Sequence, residues 1–246
     1  MESWQKIISL DKVDSTNSYF SDLLKAQDFA EGSIVSALYQ DSGKGQGSNT
    51  WESEKGKNIL VSIVLYPVIL PIDKHFLLSK AISLGIIDYA STKIADVKIK
   101  WPNDIYYKDN KLSGILIENV IKGSKINQSI VGIGLNLNQT NFTSDLPNPI
   151  SLKQVTNKNY LIEQEIIKLR NSIHFYYEML MQKKYYEINC EYLKCLYRYN
   201  SFHVYNSNNK IFTAKITDVS ELGYLQLETE ENEKIEFDFK EVEFVI

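Results

Sequence analysis

The run Lys100-Trp101-Pro102-Asn103-Asp104, continuing through Tyr106, Asp109 and Lys111 to Glu118, constrains the fold of this chain more than any other stretch. Residues 97–101 and 115–117 are apolar runs that read as strands. Between them, Trp-Pro-Asn-Asp has to be a sharp, non-helical corner, because proline fixes its own φ and drives Trp101 out of the helical region. Lys108-Asp109-Asn110-Lys111 is polar turn chemistry that folds the chain back as a hairpin. Lys100, Asn103, Asp104 and Lys111 then surround one short corner. Two cations, an amide and a carboxylate on rigid strands suit an anionic ligand with a metal ion, phosphate first. The same residues also fit an ordinary exposed hairpin with solvated lysines.

Composition bounds the class. With 246 residues, 43% of them hydrophobic, the chain can bury the core of one large domain and a small one without covalent staples. Its two cysteines, Cys190 and Cys195, form neither a C-x-x-C pair nor a disulfide framework, which fits reduced thiols in a cytoplasmic protein. No apolar run reaches transmembrane length, and Met1 to Lys6 lacks a signal-peptide pattern, so no membrane association is expected. A formal net charge of −4 argues against non-specific nucleic-acid binding as the main activity.

Along the chain, residues 6–10 suggest a strand. Asp14-Ser15-Thr16-Asn17 then precedes a helix whose face carries Tyr19, Phe20, Leu23 and Leu24. Those four polar residues read either as a plain helix cap or as ligand donors beside the free N–H groups of a helix start. Residues 33–38 are strand-like, with Gln40 at the exit. Residues 41–57 form a long polar loop with four glycines, too long for an ordinary connection and without Walker A spacing. It reads as a flexible linker or as a lid. Trp51 within it implies closure over something apolar, or docking on the protein's own core.

A strand over 58–66 and a helix from a cap at Asp73 to about Ile94 are expected next. The strand at 128–138 carries Gly132 and Gly134 at alternate positions. Such spacing clears one face for a ligand, or marks a bulge or close helix packing. Residues 139–158, with Pro147 and Pro149, read as a loop, and 159–199 as two helices. From Ser201 the pattern changes to short strands at 201–205, 210–217, 224–228 and 234–239, a small barrel-like module.

Four of these stretches occur in the order found in one family. Asp14 to Asn17 comes first, then Gly43-Lys44-Gly45-Gln46 leading to Trp51, Ser53, Gly56 and Asn58. Lys100 to Asp104 follows with Lys111, Gly114 and Glu118, and Gly132 to Asn138 comes last. Together they resemble the biotin–protein ligases (biotin–[acetyl-CoA-carboxylase] ligases). The resemblance implies an α+β fold with a mixed-sheet catalytic domain over residues 1–200 and a C-terminal SH3-like barrel over 201–246. It implies that biotin and ATP, with Mg²⁺, form biotinyl-AMP, and that biotin passes to a lysine of a biotin carboxyl carrier protein or carboxylase domain. The enzyme would be a monomer or homodimer.

The resemblance also implies the site. Lys111 is expected to be the catalytic cation. Ser15, Thr16, Asn17, Gln40, Gly43, Lys44, Trp51, Gly114, Gly132 and Gly134 would bind biotin with it. Lys44, Gln46, Asn103, Asp104, Lys111 and Asn136 would hold the nucleotide, Asp104 also serving the metal. The chain departs from the family's Gly-Arg-Gly-Arg-x-Gly loop with Gly43-Lys44-Gly45-Gln46-Gly47-Ser48, so Lys44 loses the bidentate fork and Gln46 loses the charge. The first motif begins by residue 14, leaving no room for the helix-turn-helix of regulatory members, so no DNA recognition is expected. Rival readings are a lipoate–protein ligase or octanoyltransferase of the same fold, and a non-catalytic biotin or nucleotide sensor.

Overall fold

The computed structural model describes residues 4–142 and 148–245. Its centre is β3 (Ile59–Leu65), in which every residue is buried. Six of its seven side chains are aliphatic, and a strand covered on both faces needs this continuous apolar run. Each such side chain stabilises the fold by about 1.5–3 kcal/mol.

Around β3 lies a seven-stranded sheet in the order β1 (Ile7–Leu10), β2 (Ile34–Ala37), β3, β7 (Lys125–Leu135), β6 (Asn110–Lys122), β5 (Asp104–Tyr107) and β4 (Val97–Lys100). β1 and β2 are parallel and the other pairs antiparallel, so the sheet is mixed. Its odd-numbered β3 residues face a core built from α2 (Phe76–Ser91), α4 (Ile162–Met181) and α5 (Tyr185–Cys195). On the other face, α1 (Thr16–Ala26) places Phe20 against Val64 and Ile130. α1 covers only part of that face; the remainder floors a cleft.

A second, five-stranded antiparallel sheet follows, in the order β11 (Lys234–Phe237), β10 (Leu225–Thr229), β9 (Lys210–Val219), β8 (Phe202–Ser207) and β12 (Glu243–Phe244). β11 and β12 end the sheet without pairing with each other, so among the described residues it does not close into the expected barrel. Asn208 and Asn209, both at positive φ, make the β8–β9 turn. This sheet is pinned to the first: Trp101 Nε1 donates to the Gly223 carbonyl at 2.8 Å, and Lys74 pairs with Glu221 at 2.8 Å. Lys80 is buried at the same junction, donating to Asn189 Oδ1 at 2.6 Å and to the Val219 carbonyl. Burial pushes its pKa down to about 8, against the pull of Asp218 and Glu221.

Three expectations need correction. Asp73 caps nothing; it sits in a short 3₁₀ turn, Ile72–Lys74, before α2 begins at Phe76. The strand expected at 115–117 is the middle of β6, which runs on with β7 as a largely exposed arm that includes Val120 and Ile121. The described part of the loop at 139–158 contains α3 (Leu152–Thr156), which has a Ser151–Gln154 capping box. Pro147 lies outside the described residues. The pair of helices expected over 159–199 is present as α4 and α5.

Candidate functional site

The cleft floor follows from register. Gly134 pairs with Leu60 on one side and Gly114 on the other, while Gly132 pairs with Ser62 and Leu116. A Cβ at Gly134 would lie 2.3 Å from the Trp51 indole, and one at Gly132 would lie 2.5 Å from Asn17 Oδ1. The alternating glycines therefore make room for two of the protein's own side chains, which then become walls of the cleft. Gly43 plays a different part. It is absent from the lining, and a Cβ there would lie 2.4 Å from the Trp51 carbonyl oxygen, so it lets the two arms of the loop pass. The enclosed volume is about 860 Å³, within the range of small-molecule sites.

One wall is a hydrogen-bonded network of amides and hydroxyls that ends on a carboxylate. Thr16 donates to Gln40 Oε1 through both its N–H (2.8 Å) and its hydroxyl (3.0 Å). Ser62 donates to Asn17 Oδ1 at 2.5 Å, and Asn17 Nδ2 donates to Glu118 Oε2 at 2.8 Å. Ser15 is the N-cap residue of α1 but makes no side-chain cap bond, so the plain-cap reading does not describe it. Ser62 was missed in the sequence. The signal was present, since a single hydroxyl inside Ile-Leu-Val-Ser-Ile-Val-Leu has to find a buried partner.

The opposite wall is charged. Lys111 Nζ lies 2.7 Å from Asp104 Oδ1, both side chains partly exposed. The Lys111 backbone donates to the Asn148 carbonyl and accepts from Ile150 N–H, and Asn136 Nδ2 reaches its carbonyl at 3.4 Å. Asn103 exchanges two hydrogen bonds with Ile115, so its amide fixes the corner to β6; the Trp101–Pro102 peptide within that corner is cis. Lys100 Nζ lies 5.0 Å from the Tyr106 ring and 5.2 Å from that of Phe244. Burial lowers its pKa, with Lys111 and Arg198 adding to the effect and Asp104 opposing it.

The glycine-rich loop forms the roof. Lys44 and Thr50 bridge, Gly45 N–H donates to the Asn49 carbonyl, and Trp51 N–H donates to that of Gly43. The exit is clamped by Asn58, which donates to Ser53 Oγ and to Gln139 Oε1 at 2.6 Å. Gln139 was another unforeseen contributor. Trp51 Nε1 and Gln46 Oε1 are buried without a hydrogen-bond partner among the described residues. Phe239, Lys240, Val242, Glu243 and Phe244 of the second sheet also reach the cleft, which nothing in their local sequence foretold.

Apart from Gly43, every residue expected to contact biotin or the nucleotide lines this one cleft; the motif residues Asp14, Ser53, Gly56, Asn58 and Glu118 do not. Among the described residues, no cluster of three or more His, Cys, Asp or Glu could hold a metal by itself. Asp104 offers a single carboxylate, partly engaged by Lys111. That donor set suits a Mg²⁺ carried in on phosphate oxygens.

The mixed sheet thus floors a cleft lined by amide and hydroxyl groups together with lysines, a composition suited to a small polar ligand. Residues 9–136 match the Biotin/lipoate A/B protein ligase family, and the chain belongs to it. It is 31% identical over 170 residues to the "Bifunctional ligase/repressor BirA" of Salmonella typhimurium, a match spanning 67% of this chain and 52% of the relative. It is 32% identical over 138 residues to the "Biotin--[acetyl-CoA-carboxylase] ligase" of Mycobacterium tuberculosis, covering 53% and 49% respectively. The chain spans about half the length, or less, of the curated relatives first matched. In fold it is similar to a biotin protein ligase from Aquifex aeolicus solved with biotin and ATP, at TM-score 0.80 and 24% identity, over 98% of this chain and 100% of the other. None of the described helices is long and apolar enough to cross a membrane.

Proposed function

We propose that this chain is a biotin–protein ligase, forming biotinyl-AMP from biotin and ATP and passing biotin to a carrier lysine. The observation that carries this is Lys111, which lines the same cleft as the amide network, 2.7 Å from Asp104 and 5.7 Å from the Trp51 ring. The biotin carboxylate attacks the α-phosphorus of ATP, forming a mixed anhydride and expelling pyrophosphate. The amine of the carrier lysine then attacks the acyl carbon, expelling AMP and losing a proton. Attack of one anion on another is opposed by charge, and Lys111 offsets that charge where the two meet. Ser15, Thr16, Asn17 and Gln40 supply donors and acceptors for a ureido ring, which discriminate against acids lacking it.

Trp51 supplies an apolar wall, and Lys44, Gln46, Asn136 and the Asn103–Asp104 corner face the phosphates. Mg²⁺, held by Asp104 and the nucleotide, would neutralise phosphate charge. The carrier is a biotin carboxyl carrier protein or carboxylase domain, as the name of the mycobacterial relative suggests. The second sheet, taken from residue 201 onward, is read as an SH3-like module beside a catalytic domain of residues 1–200.

Two assays test this reading. Biotin with ATP should release pyrophosphate, and an added carrier domain should become biotinylated. Thermal shift should respond to biotin in preference to lipoate or octanoate. Pyrophosphate release with lipoate alone would overturn the biotin assignment, and its absence with every acid would overturn the ligase reading.

A further inference from the structure

Lysines from four separate segments face the cleft: Lys44, Lys100, Lys111 and Lys240. Lys111 is paired with Asp104, and Lys100 is packed between aromatic rings. Lys240 differs in origin, since it comes from the turn joining β11 to β12 in the second sheet. Its Nζ lies 3.1 Å from the position that a Cβ of Gly47 would occupy, so the ammonium reaches the glycine-rich loop.

The turn that presents Lys240 is tightly built. Asp238 N–H donates to Glu241 Oε2 at 2.7 Å, Phe239 N–H to Asp238 Oδ1 at 2.6 Å, and Glu241 N–H to the Asp238 carbonyl at 3.1 Å. Lys240 itself has φ +70°, a conformation L residues rarely adopt. Both acids of the turn are directed onto backbone N–H groups, and Glu243 accepts from Asn206. Lys240 forms no ion pair among the described residues; its only ring contact there is Phe239, at 5.6 Å. A cation held in an unusual backbone conformation beside a glycine, with nearby carboxylates engaged elsewhere, is arranged for an anion that is not part of the protein. The loop residue next to Gly47 is Gln46, a neutral amide whose Oε1 is buried without a partner.

We propose that Lys240 is a phosphate-binding residue, supplied by the second sheet across the glycine-rich loop, and that it provides at the nucleotide the charge that Gln46 does not. This rests on the ligase reading for the identity of the nucleotide. It gives the second sheet a direct part in ATP recognition.

The test measures ATP dissociation constants by calorimetry on the whole chain, which requires no turnover, alongside pyrophosphate release with biotin. Lys240→Gln removes the charge, keeps a polar side chain one atom shorter and meets the same backbone strain, so melting temperature should stay constant. It should weaken ATP binding about tenfold, the order expected for one charge-assisted contact at a partly solvated site. Biotin affinity measured without ATP should not change. Lys240→Arg should retain ATP affinity, and adding Gln46→Arg to Lys240→Gln should restore most of the loss. Unchanged ATP affinity in Lys240→Gln would overturn the proposal, as would equal weakening in Lys240→Arg. If ATP binding weakens as expected while the native chain releases no pyrophosphate, the ligase reading fails and the phosphate contact stands.

Discussion

The Trp51 indole occupies the space that a side chain at Gly134 would need, with Cε2 only 2.3 Å from the ideal Cβ position. Gly114, the cross-strand partner of Gly134, meets the same ring at 3.0 Å. A residue from the roof is thus seated on a pair of glycines in the floor, and the height of the cleft is set by two missing side chains.

Gly134→Ala should therefore lift Trp51 without unfolding the sheet, because alanine suits a strand and the collision is with a loop. The mismatch is that of an overpacked contact, roughly 1–3 kcal/mol. Biotin affinity should fall by about tenfold or more, and the Trp51 emission should shift to longer wavelength. Equal affinity in the variant would show that Trp51 does not bound the biotin pocket.

Lys111→Ala should reduce adenylate formation by about 10²–10³, the usual cost of losing one preorganised electrostatic contact. Stability should change little, since the Lys111–Asp104 pair is partly exposed and such pairs contribute only about 0–1 kcal/mol. Pyrophosphate release and melting temperature, measured on one preparation, separate the two effects. Near-native release would remove Lys111 from the chemistry.

Residues 41–57 should show slower hydrogen exchange when biotin is added. Four glycines make ordering this loop costly in entropy, and Trp51 provides the contact that a bound ring system would strengthen. Exchange that is equally slow in both states would mean that the loop is a fixed wall.

Lys80 predicts a pH dependence of stability. Burial lowers its folded-state pKa to about 8, against an ordinary value of 10.5. Between those values the unfolded chain binds more protons, so stability should rise as pH increases from about 8 toward 10. Tyrosines such as Tyr89 and Tyr177, raised chiefly by burial, act oppositely above pH 10, so the rise should end there. Denaturant midpoints at pH 7.5 and 9.5 should differ in the native chain and much less in Lys80→Met. A midpoint that falls over this interval in the native chain would contradict the assignment.

The two strands and the corner from Lys100 to Lys111 were legible because proline, turn residues and alternating apolar side chains act locally. The roof was legible for a similar reason, since glycines and an isolated tryptophan are conspicuous in a polar run. The clamp of Gln139 on Asn58 and the approach of Lys240 to Gly47 were not, because each depends on register between segments far apart in the chain. The outer arm of β6 and β7 was missed because its side chains are largely exposed, leaving no apolar period to read. By contrast, Ser151 and Gln154 spelled out a helix start that the surrounding loop character concealed.

Contributors to the cleft run from Ser15 to Phe244, so nearly the whole sequence separates its two extremes. The cleft consequently has no local precursor: no excised hairpin or helix pair carries it. It also joins residues whose loop closure is slow. In a refolding experiment, ligand binding should be the last property to return, after core helices and strands have regained their spectroscopic signals.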